Sequence, residues 1–320
     1  MLLSIIIVSY NTKSLTLQTI ESALKDINQS KLLKNQTEII VVDNNSTDDS
    51  VATLKKQPEI KLIANSDNRG FAQANNQGIK IAHGKYVLLL NSDTIVQSGA
   101  LENLVNTLEK NPPDETSANL SFNDRITDRL GILAASLLNP DGSPQPQGGS
   151  LPTLLTLANH MLMLDDLPII GKLLASTQET GRRFQPKRQH NLIKKDWVGG
   201  TAVMIRQAVI QEIGDLDENI FMYGEDVEFC LRAKDHHWDI AELANAKIVH
   251  IGSASSTSSN AIKGELNSYL YIWSKHYPTW QLPLVKLLIR TGCYLRTLVF
   301  GTMKHDSARA KIYQEFLKTL

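Results

Sequence analysis

The chain has 320 residues, with 33 Lys and Arg against 33 Asp and Glu. A chain this long buries a large core, and its balanced charge excludes a general attraction to nucleic acid, so no nucleic-acid partner is expected. Its two cysteines, Cys230 and Cys293, have neither zinc spacing nor a disulfide framework, which fits a reducing compartment.

The opening MLLSIIIVSYNT lacks a basic n-region and turns polar after a short apolar run, so it reads as a buried strand rather than a signal peptide. No uninterrupted apolar stretch is long enough to span a bilayer. Three early segments, LSIIIVSYN, TEIIVVDNN and KYVLLLNSD, are β-rich runs that end abruptly in polar residues. Continuous apolar strands of this kind suit parallel pairing with both faces covered. Helical stretches SLTLQTIESALKDI, SVATLKKQ and FAQANNQGIKIAHG lie between and around them, so the class is α/β. Ligands in such sheets bind beyond the strand carboxyl ends, which gathers Ser9, Asn11, Asp43, Asn45, Asn91 and Asp93 along one rim.

After the helix-like SGALENLVNTLEKN, residues 112–128 are polar and weakly patterned, as in a surface insertion. GILAASLL reads as a strand, and NPDGSPQPQGGSLP as a long loop beside the rim. Residues 153–195 are helix-prone and include a basic run, GRRFQPKRQ; DWVGGTAVMIRQAVIQEIG then supplies a Gly-Gly turn, a strand and a helix, and IAELANAKIVHIG a last strand.

Between those two segments, FMYGEDVEFC crowds Glu225, Asp226 and Glu228 into four positions. At about 100° per residue, Val227, Cys230, Leu231 and Ala233 share an arc that includes Asp226, with Glu225, Glu228 and Arg232 opposite. The wheel therefore expects Asp226 directed inward, and Glu228 with Arg232 as a surface pair. From 281 to 320, Lys286, Arg290, Arg296, Lys304, Arg309, Lys311 and Lys318 face only Asp306 and Glu315. Lys286, Arg290, Arg296 and Lys304 gather on one helix face, with Leu284, Leu287, Leu288, Leu295, Leu298 and Val299 on the other. That pattern fits an anionic membrane surface or a helix packed on the main domain with a charged outer face.

Single residues leave more than one role open. Asp43 precedes NNSTDDS and suits a turn or cap as well as a ligand. Asp93, two residues after Asn91, can offer oxygen to a hard divalent cation, although a β-turn uses the same pattern. His250 ends a strand, as a metal ligand or as a hydrogen-bonded structural group. Gly70 and Gly78 flank amide side chains in NRGFAQANNQG, which is not a dinucleotide fingerprint.

SIIIVSYN, IIVVDNNSTD, NRGFAQANNQGI, YVLLLNSDT, WVGGTAVMIR, DENIFMYGEDVEFCLR and VHIGSASS occur in the order seen in family 2 glycosyltransferases. Together they resemble the bacterial rhamnosyltransferase-like branch, from about residue 3 to about residue 256. The resemblance implies a GT-A fold, a mixed sheet flanked by helices with a C-terminal helical appendage. It implies a catalytic domain over 1–260, with a nucleotide-sugar-binding half at 1–110 and an acceptor half at 131–260, followed by a helical region at 261–320. It also implies a dTDP- or UDP-linked sugar donor, a Mg²⁺ or Mn²⁺ cofactor, a glycan or lipid-linked acceptor, inversion at the anomeric carbon, and work in the cytoplasm or at the inner face of the plasma membrane.

Carried over by position, Asp43, Ser9, Asn11 and Asn45 would line the nucleotide pocket, with Gly70, Asn76 and Asn91 near ribose and diphosphate. Asp93 and His250 would hold the metal, Trp197, Gly199, Gly200 and Glu225 would face the acceptor, and Asp226 would be the general base. Asn91 replaces an Asp common in the family and Asn75 an Arg common in other branches, which removes one metal-site charge and one diphosphate partner. A nucleotidyltransferase and a non-catalytic nucleotide- or glycan-binding module are the competing readings.

Overall fold

A computed structural model describes residues 1–113, 129–169, 171, 173–178, 188–189, 191–252 and 258–320. Most of 112–128 and of the basic run at 181–189 falls outside these residues. The chain divides into two compact units. One holds Met1–Gln147, Gln185–Phe221 and Asp226–Ser255; the other holds Gly148–Phe184, Met222–Glu225 and Ser256–Leu320. The stretch from Gly148 thus joins the C-terminal helices, although chain order puts it in the acceptor half.

The first unit is built on β1 (Leu3–Ser9), β2 (Thr37–Asp43), β3 (Ile60–Ala64), β4 (Tyr86–Leu90), β5 (Thr94–Val96), β6 (Leu130–Leu138), β7 (Pro144–Gln145), β8 (Arg188–Gln189), β9 (Leu192–Lys195), β10 (Ala202–Arg206) and β11 (Asp239–His250). They form one sheet in the order β3-β2-β1-β4-β10-β6-β11-β9-β8, with β5 on β11 and β7 on β6. β1 to β4 are parallel, while β10 runs antiparallel between β4 and β6, so the sheet is mixed. All of β4 and nearly all of β1 and β2 are buried, as their unbroken apolar runs require. β3, IKLIA, is a half-buried edge with too weak a pattern to stand out in the sequence.

Helices α1 (Lys13–Gln29), α2 (Ser50–Leu54), α3 (Gly70–Ile81), α4 (Ala100–Lys110), α6 (Gln207–Ile213) and α7 (Glu225–Asp235) accompany the sheet. α3 lies so close to β1 that a Cβ at Gly78 would sit 2.6 Å from Ile6 Cγ2. The first turn of α3 is tied to the end of β2, where the Gly70 carbonyl accepts from Asn44 Nδ2.

The second unit is helical: α5 (Leu154–Met161), α8 (Ser258–His276), α9 (Leu282–Leu298) and α10 (Ser307–Leu317). Thr153 and Thr156 form a reciprocal capping box at the start of α5. The core joins Leu157 and Met161 of α5 to Trp273, Val285, Ile289, Cys293 and Phe316. This packing corrects the wheel for α9. Arg296 does not join an outer basic face: it is buried and donates to the carbonyls of Met161 and His160, both at 2.7 Å. Leu284, Leu287 and Leu298 are exposed instead.

Candidate active site

β1 and β2 end in register, Ser9 beside Asp43, so their following loops start side by side. The Ser9 hydroxyl is fully buried and joins Thr16 at 3.0 Å and Thr12 at 3.4 Å; Thr12 continues to Ser92 at 3.1 Å. This hydroxyl chain ties the end of β1 to the turn after β4, so Ser9 braces the rim. Asn11 (φ 54) accepts from the Thr47 amide at 2.7 Å, and its own amide donates to Ser46 at 2.8 Å, which stitches the two loops together. Asn45 (φ 71) is exposed.

Asp43 differs from its neighbours. It is fully buried, its Oδ1 accepts from the Ser46 amide at 2.8 Å, and its Oδ2 has no hydrogen-bond partner among the described residues. An open carboxylate oxygen in a buried position is costly unless a ligand donor meets it. Asn44, which sequence reasoning passed over, holds the next loop through its Nδ2 to Asn68 (2.8 Å) and the Gly70 carbonyl (3.1 Å). Gly70 needs its φ of 80°, and a Cβ there would meet the Phe221 carbonyl at 2.5 Å. In Asn76, Nδ2 donates to Leu216 O (2.8 Å) and Glu218 (3.0 Å), and Oδ1 accepts from the Leu216 amide (3.0 Å). Both ends of that amide hold the loop at Leu216 and Glu218. Asn75 bonds back to the Phe71 carbonyl of its own helix at 2.9 Å.

Beyond β4, Asn91 has a buried Oδ1 with no partner among the described residues, and its amide donates to Thr201 O at 2.8 Å. Asp93 meets His250 because β5 pairs antiparallel with the end of β11, Thr94 opposite His250. Asp93 Oδ1 lies 3.4 Å from His250 Nε2.

The proton position on His250 follows from a chain of bonds through the loop after β6. Asn139 Nδ2 donates to Ser143, Gln145 Nε2 donates to Asn139 Oδ1 at 3.1 Å, and Gln145 Oε1 therefore faces His250 Nδ1 at 2.7 Å. Nδ1 must carry the hydrogen, which leaves the Nε2 lone pair aimed at a carboxylate oxygen. Two facing acceptors suit a cation held by both. A carboxylate oxygen and an imidazole nitrogen are donor types that a divalent cation accepts, so these two residues would be the ones to hold it. Among the described residues no group of three or more His, Cys, Asp or Glu is arranged to hold a metal, so a bound ion would take its other ligands from elsewhere.

Tyr223 (φ 69) and Gly224 (φ 124) turn the chain into α7, and a Cβ at Gly224 would meet Ser268 Cβ at 2.4 Å. Here the wheel is corrected again. Glu225 and Glu228 are buried rather than solvated, and Asp226 is the one carboxylate of the three that is partly exposed. Glu228 takes a two-pronged contact from Arg232, Nε to Oε1 at 3.0 Å and Nη2 to Oε2 at 2.8 Å. Arg232 also donates to the carbonyls of Ile213, through Nη1, and Asp215, through Nη2. The wheel had no view of those carbonyls, and they are what make burial of the pair tolerable.

Asp226 accepts from the Gly200 amide at 3.1 Å through Oδ2 and from the Val227 amide at 2.8 Å through Oδ1. Backbone amides orient the carboxylate without protonating it. Gly199 leaves open the space where a Cβ would lie 3.7 Å from Asp226 Oδ2 and 3.9 Å from Gln147 Cγ. Gln147, also missed in the sequence, is buried; its Nε2 donates to the Ala135 carbonyl at 3.3 Å, and its Oε1 has no partner among the described residues. Gln145 and Gln147 alternate in PQPQGG, and that period of two inside a Pro/Gly loop was the available signal. Trp197 is buried beside this turn in sequence. Burial pushes the Cys230 thiol up to about 12 and the Cys293 thiol up to about 11, so neither is a ready nucleophile.

The description Glycosyl transferase family 2 matches residues 4–129, a stretch that contains Asp43, Asn91 and Asp93 and stops before Asp226 and His250. The chain is 23% identical over 290 residues to the N-acetylglucosaminyl-diphospho-decaprenol L-rhamnosyltransferase of Mycobacterium tuberculosis, covering 86% of this chain and 87% of that one. It is 26% identical over 253 residues to the low-salt glycan biosynthesis hexosyltransferase Agl10 of Haloferax volcanii, covering 78% of this chain and 66% of that one. Among solved structures, S. aureus TarS 1–349 superposes with a TM-score of 0.50 at 14% identity, covering 100% of this chain and 91% of that chain. The mixed sheet with its flanking helices is accordingly a GT-A fold.

Proposed function

We propose, from the premise that this chain is a glycosyltransferase with a family 2 domain, that it moves a hexose, rhamnose in our reading, from a dTDP- or UDP-linked donor to a hydroxyl of a lipid-linked glycan, with inversion. Rhamnose and the lipid-linked acceptor follow the similarity to the M. tuberculosis rhamnosyltransferase. The observation that carries the chemistry is the partly exposed Asp226, fixed by the Gly200 amide beside an unfilled glycine space. On this reading the protein works in the cytoplasm, at the inner face of the plasma membrane.

Each open group has a task. Asp43 Oδ2 takes an N–H of the nucleotide base. Asp93 and His250 would hold Mg²⁺ or Mn²⁺, with the Asn91 amide oxygen close by in sequence, and the cation would supply charge neutralisation for the departing diphosphate. Asp226 receives the proton of the acceptor hydroxyl as the hydroxyl oxygen bonds the anomeric carbon and the bond to diphosphate breaks on the opposite side. Gln147 Oε1 accepts a hydrogen bond from a second acceptor hydroxyl and so fixes its orientation.

The test is incubation of the full chain with a panel of nucleotide sugars, Mg²⁺ or Mn²⁺, and a polyprenyl-diphosphate-linked N-acetylglucosamine. Release of nucleoside diphosphate with a glycosylated lipid is expected, lost when Asp93→Ala removes metal-dependent donor binding. Pyrophosphate release would instead indicate a nucleotidyltransferase, and donor binding without any release a binding module.

A further inference from the structure

The second unit leaves one helix face uncovered. α9 buries Val285, Ile289, Gly292, Cys293 and Arg296 against its neighbours. At about 100° per residue, Leu284, Leu287, Tyr294 and Leu298 fall within an arc of roughly 80° on the opposite side. All four are exposed, three of them at 59%, and Trp280 before the helix and Met303 after it extend the patch at 63% and 76%. Single exposed apolar side chains need no explanation, but a row along one helix of a unit with its own core does.

Charge identifies the occupant. From Leu266 to His305 the sequence contains no Asp or Glu, while Lys275, Lys286, Arg290, Arg296 and Lys304 lie within it. Lys286 and Arg290 are exposed along one edge of the apolar row, and Lys304 is exposed beyond its end. A second copy docked face to face on this helix would bring Lys286 and Arg290 toward their own equivalents, with no carboxylate in this stretch to pair them. No helix among the described residues is long and apolar enough to cross a membrane. We infer that α9 lies flat on an anionic lipid surface, with Trp280, Leu284, Leu287, Tyr294, Leu298 and Met303 entering the acyl boundary and Lys286, Arg290 and Lys304 at the headgroups.

This face is not the basic face suggested by the sequence: the leucines and the cations act on the same side, because Arg296 and the β-branched residues took the inside. The docking is independent of the transferase chemistry, so the two are tested separately. The full chain is sedimented with vesicles of phosphatidylcholine, with or without phosphatidylglycerol, alongside Leu284→Ser/Leu287→Ser and Lys286→Glu/Arg290→Glu. Both double variants alter exposed residues and should melt like the parent.

Binding to phosphatidylglycerol vesicles that weakens with salt, and falls about tenfold in each double variant, is the expected result. Nucleoside diphosphate release measured with a soluble acceptor should be the same in all three proteins. Absence of binding at low salt, equal binding to neutral vesicles, or unchanged binding by Leu284→Ser/Leu287→Ser would overturn the inference. A concentration-dependent dimer that this variant dissolves, in a protein that ignores vesicles, would make a second copy the occupant.

Discussion

Helix α7 is buried around most of its circumference, whereas α9 is covered on one side. In α7 the apolar residues Val227, Cys230, Leu231 and Ala233 are buried, and so are Glu225 and Glu228 across the helix. In α9 the buried side takes Val285, Ile289 and Cys293, and Leu284, Leu287 and Leu298 remain outside. The difference teaches that helical periodicity decides which residues share a face, while neighbours decide whether that face meets solvent. A carboxylate can be buried where an arginine and spare carbonyls are supplied, and a leucine can be left out where nothing in the fold reaches it.

The largest expected effect tests the partly exposed Asp226 of α7. Asp226→Asn keeps the shape and removes the proton acceptor, so kcat should fall roughly 10²–10⁴-fold with donor affinity unchanged. Gln147→Met leaves the base in place and should mainly raise the acceptor KM, by about tenfold for one lost hydrogen bond. Near parental turnover by Asp226→Asn at saturating donor and acceptor would remove it as the base and make Glu225 the next candidate.

Next in size is the contrast between the covered faces themselves. Glu228→Gln leaves the Arg232 charge half-buried without its carboxylate and should cost about 3–5 kcal/mol in denaturant unfolding. Leu287→Ser on α9 should change stability by no more than about 0.5 kcal/mol. A small loss in Glu228→Gln would mean that Glu228 and Arg232 behave as the ordinary surface pair the wheel suggested.

The same contrast explains what was legible in the sequence. β1, β2 and β4 were, because a strand buried on both faces writes an unbroken apolar run, and the rim at their ends followed from the parallel order. Asp43 was placed correctly at that rim, but its open oxygen depends on how the Ser46 amide takes only the other one. The pairing of Asp93 with His250 was available as position, while its cause, β5 on β11, joins residues far apart in the chain. Gln145 and Gln147 were hidden because their significance lies in which side-chain ends stay partnered. The contacts of Asn76 were hidden for a related reason: its amide reaches Leu216 and Glu218, long-range partners that no local pattern announces.

The smallest expected effect concerns the polar side of the α9 packing. Arg296 donates to the carbonyls of His160 and Met161, and the His160 ring beside it stands between Asp165, 3.3 Å from Nδ1, and Glu265, 3.5 Å from Nε2. Burial pulls the His160 pKa down, but hydrogen bonds to Asp165 and Glu265 outweigh it and hold the imidazole above its ordinary value. A raised folded-state pKa gives stabilisation that is complete below the unfolded value of about 6.5 and disappears as pH rises through the folded value. The melting temperature should therefore decline as pH rises above about 6.5, by about 2–4 °C for each kcal/mol lost. His160→Gln should be less stable near pH 6 and should lack that decline. Parallel pH profiles for the two proteins would show that the imidazole is not the charged partner of these carboxylates, and that the inner side of α9 is held by Arg296 and apolar packing alone.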